Sequence, residues 1–153
     1  MAELESEFLF EMTIELGGMQ ELGQTPFGTR RIAVVAGGAF EGPRLRGKLV
    51  PGAVGDWLLA RADGALQLDV RATLETDDGA LIYMTYRGIR HGPAEVMERL
   101  ARGEAVDPAA YYFRIAPFFE TGDERYAWLN RILAVGVGDR RPDGPIYRIY
   151  EIL

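Results

Sequence analysis

The chain has 153 residues, 48% of them hydrophobic and 26% charged, which suits one soluble domain large enough to bury its own core. A net charge of −6 is the wrong field for nucleic acid or an anionic membrane, and the lack of cysteine removes disulfides, thiol nucleophiles and cysteine metal sites. The acidic start Met1-Ala2-Glu3-Leu4-Glu5 lacks the order of a signal peptide and no apolar run reaches transmembrane length, so one cytoplasmic domain over residues 1–153 is expected.

Residues 7–16 alternate loosely and predict a first strand with Phe8, Phe10, Met12, Ile14 and Leu16 on one face. Residues 17–28, with four glycines and Pro26, predict a loop. Strands follow over 29–36, with a bend at Gly37-Gly38, and over 45–50, ended by Pro51-Gly52. Residues 56–61, 65–76 and 80–90 form three further strands. Pro93, Glu95 and Gly103 frame one short helix whose apolar stripe is Val96, Met97 and Leu100. Residues 111–119, 126–137 and 146–152 complete the set. The fold class is all-β, a single antiparallel β-barrel of about nine or ten strands with one short helix, and a sandwich is the rival architecture. Closure removes the edges such a sheet would otherwise expose.

Turn chemistry sets two registers. Around Asp77-Asp78-Gly79, a three-residue loop pairs Asp69 with Arg87, Arg71 with Thr85 and Thr73 with Tyr83, leaving Val70, Ala72 and Leu74 against Tyr86, Met84 and Ile82. At Asp63-Gly64 a two-residue loop sets Asp56 against Arg71 and Trp57 against Val70. Together these place Asp56, Asp69, Arg71 and Arg87 on one face, beside Tyr83. Such a face is either a solvated outer wall with weak ion pairs or a cavity wall with desolvated ones.

Other side chains offer binding chemistry. Tyr112 and Arg114 share a parity, as do Trp128 and Asn130; aromatics interleaved with a guanidinium and an amide suit a small organic acid, phenol or carbonyl compound. His91 is the only histidine, so a metal site of the usual two- or three-histidine kind is excluded; it is either a general base near a barrel mouth or, as such residues more often are, a solvated loop histidine. There is no phosphate loop and no nucleophile elbow, and Ser6 is the only serine. No cofactor and no metal are expected.

The runs Gly38-Ala39-Phe40-Glu41-Gly42-Pro43, Leu49-Val50-Pro51-Gly52, Asp56-Trp57, Leu68-Asp69-Val70-Arg71, Thr76-Asp77-Asp78-Gly79-Ala80, Gly92-Pro93-Ala94-Glu95, Tyr112-Phe113-Arg114 and Trp128-Leu129-Asn130 carry a resemblance. Across nearly its whole length the chain resembles the uncharacterised bacterial proteins grouped as domain of unknown function 3237, or uncharacterised protein family 0311. The resemblance implies an antiparallel barrel of lipocalin-like shape with self-association, and no established activity. Asp56, Asp69 and Arg71 lie inside these runs, which brings the cavity reading of their face level with the outer-wall one.

The expectation is a small-molecule-binding barrel with ligand contacts from Arg71, Tyr83, Arg87, Tyr112, Arg114, Trp128 and Asn130. The alternative is a cofactor-free cyclase, isomerase or lyase using Asp56, Asp69 or His91 for proton transfer beside an arginine. A third reading is a structural subunit whose apolar strand faces bury against a second copy or another partner.

Overall fold

A computed structural model describes residues 2–153. Eight strands follow one another around a closed antiparallel barrel: β1 (Ser6–Thr25), β2 (Gly28–Glu41), β3 (Arg46–Ala60), β4 (Leu66–Thr76), β5 (Leu81–His91), β6 (Tyr112–Glu120), β7 (Leu133–Arg141) and β8 (Gly144–Ile152). Helix α1 (Ala94–Ala101) and a 3-10 turn (Pro108–Ala110) link β5 to β6; a second 3-10 segment (Glu124–Arg131) links β6 to β7. β1 pairs with β8 to close the ring. No helix among the described residues is long and apolar enough to cross a membrane.

Eight strands replace the expected nine or ten, because glycines bend strands here rather than end them. Residues 45–50 and 56–61 are the two ends of one 15-residue strand, β3, which passes Pro51-Gly52 as a register shift between Leu49 and Val54 with Gly52 at φ +84°. The expected loop at 17–28 is mostly strand as well. β1 continues through shifts at Leu16/Gly18 and Glu21/Gly23, pairing with β2 out to Thr25 and Gly28. A glycine bulge inserts a residue and raises the local twist while the ladder resumes beyond it. The opposite error occurs at 126–137, whose first half is the 3-10 segment. Its start is capped by the Asp123 carboxylate, which accepts from the Arg125 amide.

The hairpin β4–β5 has the expected register: Asp69 pairs with Arg87, Arg71 with Thr85 and Thr73 with Tyr83. Thr76 N–H donates to the Ala80 carbonyl at 2.9 Å and Gly79 N–H to the Thr76 carbonyl at 2.9 Å, with Gly79 at φ +89°. The β3–β4 turn repeats this pattern. Arg61 N–H donates to Ala65 at 2.9 Å, Gly64 N–H to Arg61 at 3.1 Å, and Gly64 lies at φ +88°. It is thus a three-residue loop, not the expected two-residue one. The ladder slips by one: Asp56 pairs with Val70 and Leu59 with Gln67. A one-residue slip reverses every side chain, so Asp56 joins the apolar lumenal face and Trp57 turns outward.

The lumen is packed solid at one end. There Phe10 meets Phe40 and Phe119 at ring separations of 5.4 and 6.0 Å, and the fully buried Leu129 of the 3-10 segment closes the end. The Asp77-Asp78-Gly79 turn holds that segment. The Tyr126 hydroxyl donates to the Asp78 carboxylate at 2.8 Å, and Arg125 Nη1 donates to the Asp78 carbonyl at 3.0 Å. At the other end the β1–β2 hairpin and the β3–β4 and β7–β8 turns surround a mouth, and α1 docks across it through Leu100.

Candidate functional site

Among the described residues, the charged side chains that enter the lumen gather toward the mouth; the buried Thr76 at the closed end bonds within its own turn. The strand alternation that points Ile82, Met84 and Tyr86 inward also points Arg90 inward; Ala33 and Val35 do the same for Arg31, and Ala134 for Arg140. Asp56, Tyr147 and these three arginines line a cavity of about 110 Å³ roofed by Leu100 and Ala101 of α1. Lumenal glycines make room for its floor. A Cβ on Gly88 would sit 2.7 Å from Ile115, and one on Gly138 would lie 2.6 Å from the Phe113 ring.

Asp56 is 9% exposed and the only acidic residue in the buried set. Its Oδ1 accepts the Asp69 backbone N–H at 3.0 Å. Burial raises its pKa to about 6: that bond and the Arg90 charge favour the carboxylate, but desolvation outweighs them and the nearby Asp69 charge adds to it. Arg90 lies under the opposite balance. Burial, then the like charge of Arg140, pushes it down to about 10, so it stays a cation at neutral pH. Its guanidinium lies 5.6 Å over the Phe113 ring, and its enclosed Nε has no hydrogen-bond partner among the described residues. Burial also lowers Arg140 and raises Tyr147, whose ring stands edge to face with Tyr86 at 5.5 Å. The Tyr111 hydroxyl accepts the Arg140 backbone N–H at 2.8 Å and so fixes that strand at the mouth. Among the described residues no three His, Cys, Asp or Glu side chains gather where they could share a metal ion.

This arrangement splits the charged face expected from sequence. Asp56 is lumenal; Asp69, Arg71 and Arg87 point outward into solvent, as does Tyr83. Asp69 and Arg71 border an open outer groove with Trp57 and Arg30. Arg87, Tyr112 and Arg114 border another with Ile89 and Val135. Both grooves exceed the mouth cavity in volume, at about 490 and 380 Å³, yet their charged groups stay solvated and carry no desolvated chemistry. The Arg114 guanidinium lies 5.0 Å over the Tyr112 ring and donates to the Phe113 carbonyl at 2.9 Å. His91 is exposed and stacks on Tyr112 at 5.1 Å, outside the cavity. Trp128 and Asn130 belong to the closed end. Arg44 lies 3.5 Å over the Trp128 ring, while Asn130 exchanges hydrogen bonds of 2.8 and 2.9 Å with the Thr121 backbone.

A family model described as protein of unknown function (DUF3237) matches residues 4–152. The chain belongs to this family. A UPF0311 protein of Rhodopseudomonas palustris is 37% identical over 150 residues, covering 98% of this chain and 97% of its own. The crystal structure of that conserved protein superposes with a TM-score of 0.95 at 36% identity, covering 100% of both chains. A β-barrel-like protein of Acinetobacter baumannii gives a TM-score of 0.86 at 40% identity, with 99% of this chain and 98% of that one covered. More distant is a hydroalkoxylation enzyme of Penicillium herquei, 28% identical over 131 residues, or 85% of this chain and 71% of its own.

Within this DUF3237 barrel, Arg31, Arg90, Arg140 and Tyr147 escape the sequence reading although a signal for the arginines exists. Each of the three continues an apolar every-second-residue series: 31 with 33 and 35, 90 with 82, 84 and 86, and 140 with 134, 136 and 138. A cation at the end of a buried parity marks the rim of a barrel more directly than a charged face does.

Proposed function

We propose that the mouth cavity is the active site of an enzyme that moves a proton on a small carbonyl or phenolic compound, with Asp56 as the general acid–base. The observation that carries this reading is a single buried carboxyl in a cavity, with a proton affinity of about 6, beside cations suited to an oxygen that gains negative charge. A carboxyl at that value is ready both to accept and to return a proton near neutral pH. The distant likeness to a hydroalkoxylation enzyme supports the same class of chemistry. Adding an O–H across a C=C bond removes a proton from oxygen, forms a C–O bond and delivers a proton to the other carbon. One carboxyl that takes the first proton and gives the second completes that cycle unchanged. Arg90 and Arg140 would hold the oxygen that carries charge between the two steps.

The test is a panel of 2-alkenylphenols, enones and 1,3-dicarbonyl compounds incubated with the protein in D2O and followed by proton NMR. At least one should show accelerated exchange or ring closure, with a rate that changes through about pH 6. Asp56→Asn should slow it by about 10²- to 10⁴-fold. A panel with no acceleration, or an Asp56→Asn variant at the wild-type rate, overturns the assignment.

A further inference from the structure

The charges around the cavity do not balance. Three guanidinium groups, Arg31, Arg90 and Arg140, face one carboxyl, Asp56. Two of the three have partners outside the cavity. Arg31 meets Glu21 of β1 at 4.0 Å, and Arg140 donates to the Arg141 carbonyl and feels Asp143 in the β7–β8 turn. Arg90 is the exception, a largely enclosed cation whose Nε has no acceptor among the described residues. Its one acidic neighbour in the cavity, Asp56, is itself pushed by burial toward the neutral form, so the enclosed cation lacks a full counter-charge, which is unfavourable unless something supplies one. The surrounding wall is apolar and aromatic, formed by Leu58, Leu66, Leu68, Phe113 and Tyr147. A cavity of about 110 Å³ holds a head group of a few atoms rather than a whole drug-sized ligand.

We infer that this cavity is an anion subsite, and that the ligand enters with a planar monoanionic head, a carboxylate or an enolate oxygen, bonded to Arg90 and flanked by Arg31 and Arg140. The planar guanidinium of Arg90 offers its Nη groups, which make no hydrogen bond among the described residues, to the oxygens of a carboxylate. The aromatic wall favours a flat, unsaturated body next to that head over a free inorganic phosphate. The inference names the substrate class for the acid–base reading of the same site and rests on it. The neighbouring charges set a further consequence: an anion beside Asp56 is repelled when Asp56 ionises. The groups that face it are Asp56, Tyr86 and Tyr147 inside the lumen, Arg31, Arg90 and Arg140 at the rim, Asp69 on the outer face beside Asp56, and Glu21, Asp139 and Asp143 beyond them.

The probe is benzoate, compared with benzamide and with inorganic phosphate, by calorimetry and by the shift of the arginine Nε resonances. Benzoate should bind at least tenfold more tightly than either comparison compound, and it should move the Arg90 Nε signal. Its affinity should fall as pH rises from 5 to 8, and Asp56→Asn should abolish that fall while retaining binding. Arg90→Gln should weaken binding by about 10- to 100-fold, the loss expected for hydrogen bonds to a charged group. Arg90→Lys, which keeps the charge but loses the fork, covers the case in which the glutamine variant does not fold, and it too should bind at least fivefold more weakly. Equal binding of benzoate and benzamide, preference for phosphate, or wild-type affinity in both Arg90 variants overturns the inference. Tight benzoate binding in a protein that accelerates no proton transfer would retain the anion subsite and discard the catalytic reading. Proton transfer on neutral compounds alone would do the reverse.

Discussion

Asp56→Asn is expected to stabilise the barrel by about 3 kcal/mol near pH 7.5 and by almost nothing near pH 3.5. The side chain's proton affinity rises from 3.8 in the unfolded chain to about 6 in the barrel, because burial disfavours the carboxylate. The native state therefore holds the proton more tightly than the unfolded state does. The stability this contributes is present in full below pH 3.8 and is lost as pH rises through about 6. Above that value the fold carries a desolvated charge. Asparagine removes the charge, and its oxygen can still accept the Asp69 amide that Asp56 now holds at 3.0 Å. Urea melts of both proteins at several pH values give the difference directly. A difference that does not vary with pH, or a loss of stability at pH 7.5, would place the carboxyl in contact with water. A side chain that weakens the fold at neutral pH and is better replaced for stability is what a catalytic group looks like thermodynamically.

Leu129→Ala is expected to cost about 2–5 kcal/mol and to lower the melting temperature by roughly 10 °C. Leu129 is fully buried at the closed end, where the 3-10 segment Glu124–Arg131 seals the lumen. Truncation removes the apolar contact and leaves a void among rings that already interlock, so little can collapse into it. The same variant should leave benzoate binding at the mouth unchanged, since the two ends share no partners. A cost below about 1 kcal/mol would mean that the segment lies on the barrel rather than in it. Equal damage to stability and to anion binding would mean that the two ends are one cooperative site.

The two results draw on parts of the chain that were unequally legible. The β4–β5 hairpin was readable to the residue because its alternation is strict and only one loop length sorts the faces, the one that sets Gly79 at φ +89°. The neighbouring turn has the same Asp-Gly pair and the same geometry. Its strand, however, carries Asp56-Trp57-Leu58-Leu59, where polar and apolar residues do not alternate, so two registers sort almost equally well. The wrong one puts Asp56 among Asp69, Arg71 and Arg87; the observed one puts it opposite Val70 in the lumen. That single residue of slip separates a solvated ion-pair wall from a buried acid.

Strand number failed for a related reason. Pro51-Gly52 and the glycines of 17–28 have the composition of loops, but bulged strands in a tightly coiled barrel use the same residues. Residues 126–131 failed the other way. Tyr126, Trp128 and Asn130 alternate as a strand would, yet the Asp123 cap and the hydrogen bonds of Tyr126 and Arg125 to Asp78 hold a 3-10 coil. Those bonds join residues far apart in sequence, and no local pattern announces them. Of the expected site residues, Asp56 alone lies in the mouth cavity, and its arginine partners were visible only as charged ends of buried parities.

A buried acid at the mouth stands or falls on the ionisation of Asp56 itself. Carbon-13 NMR of the aspartate side-chain carboxyl carbons, titrated from pH 3 to 9 and assigned with Asp56→Asn, reads that group alone. Asp56 should titrate with a midpoint near 6, moved upward by Arg90→Gln because the cation that favours the carboxylate is gone. A midpoint close to 4, the ordinary value for a solvated aspartate, would contradict a buried acid there.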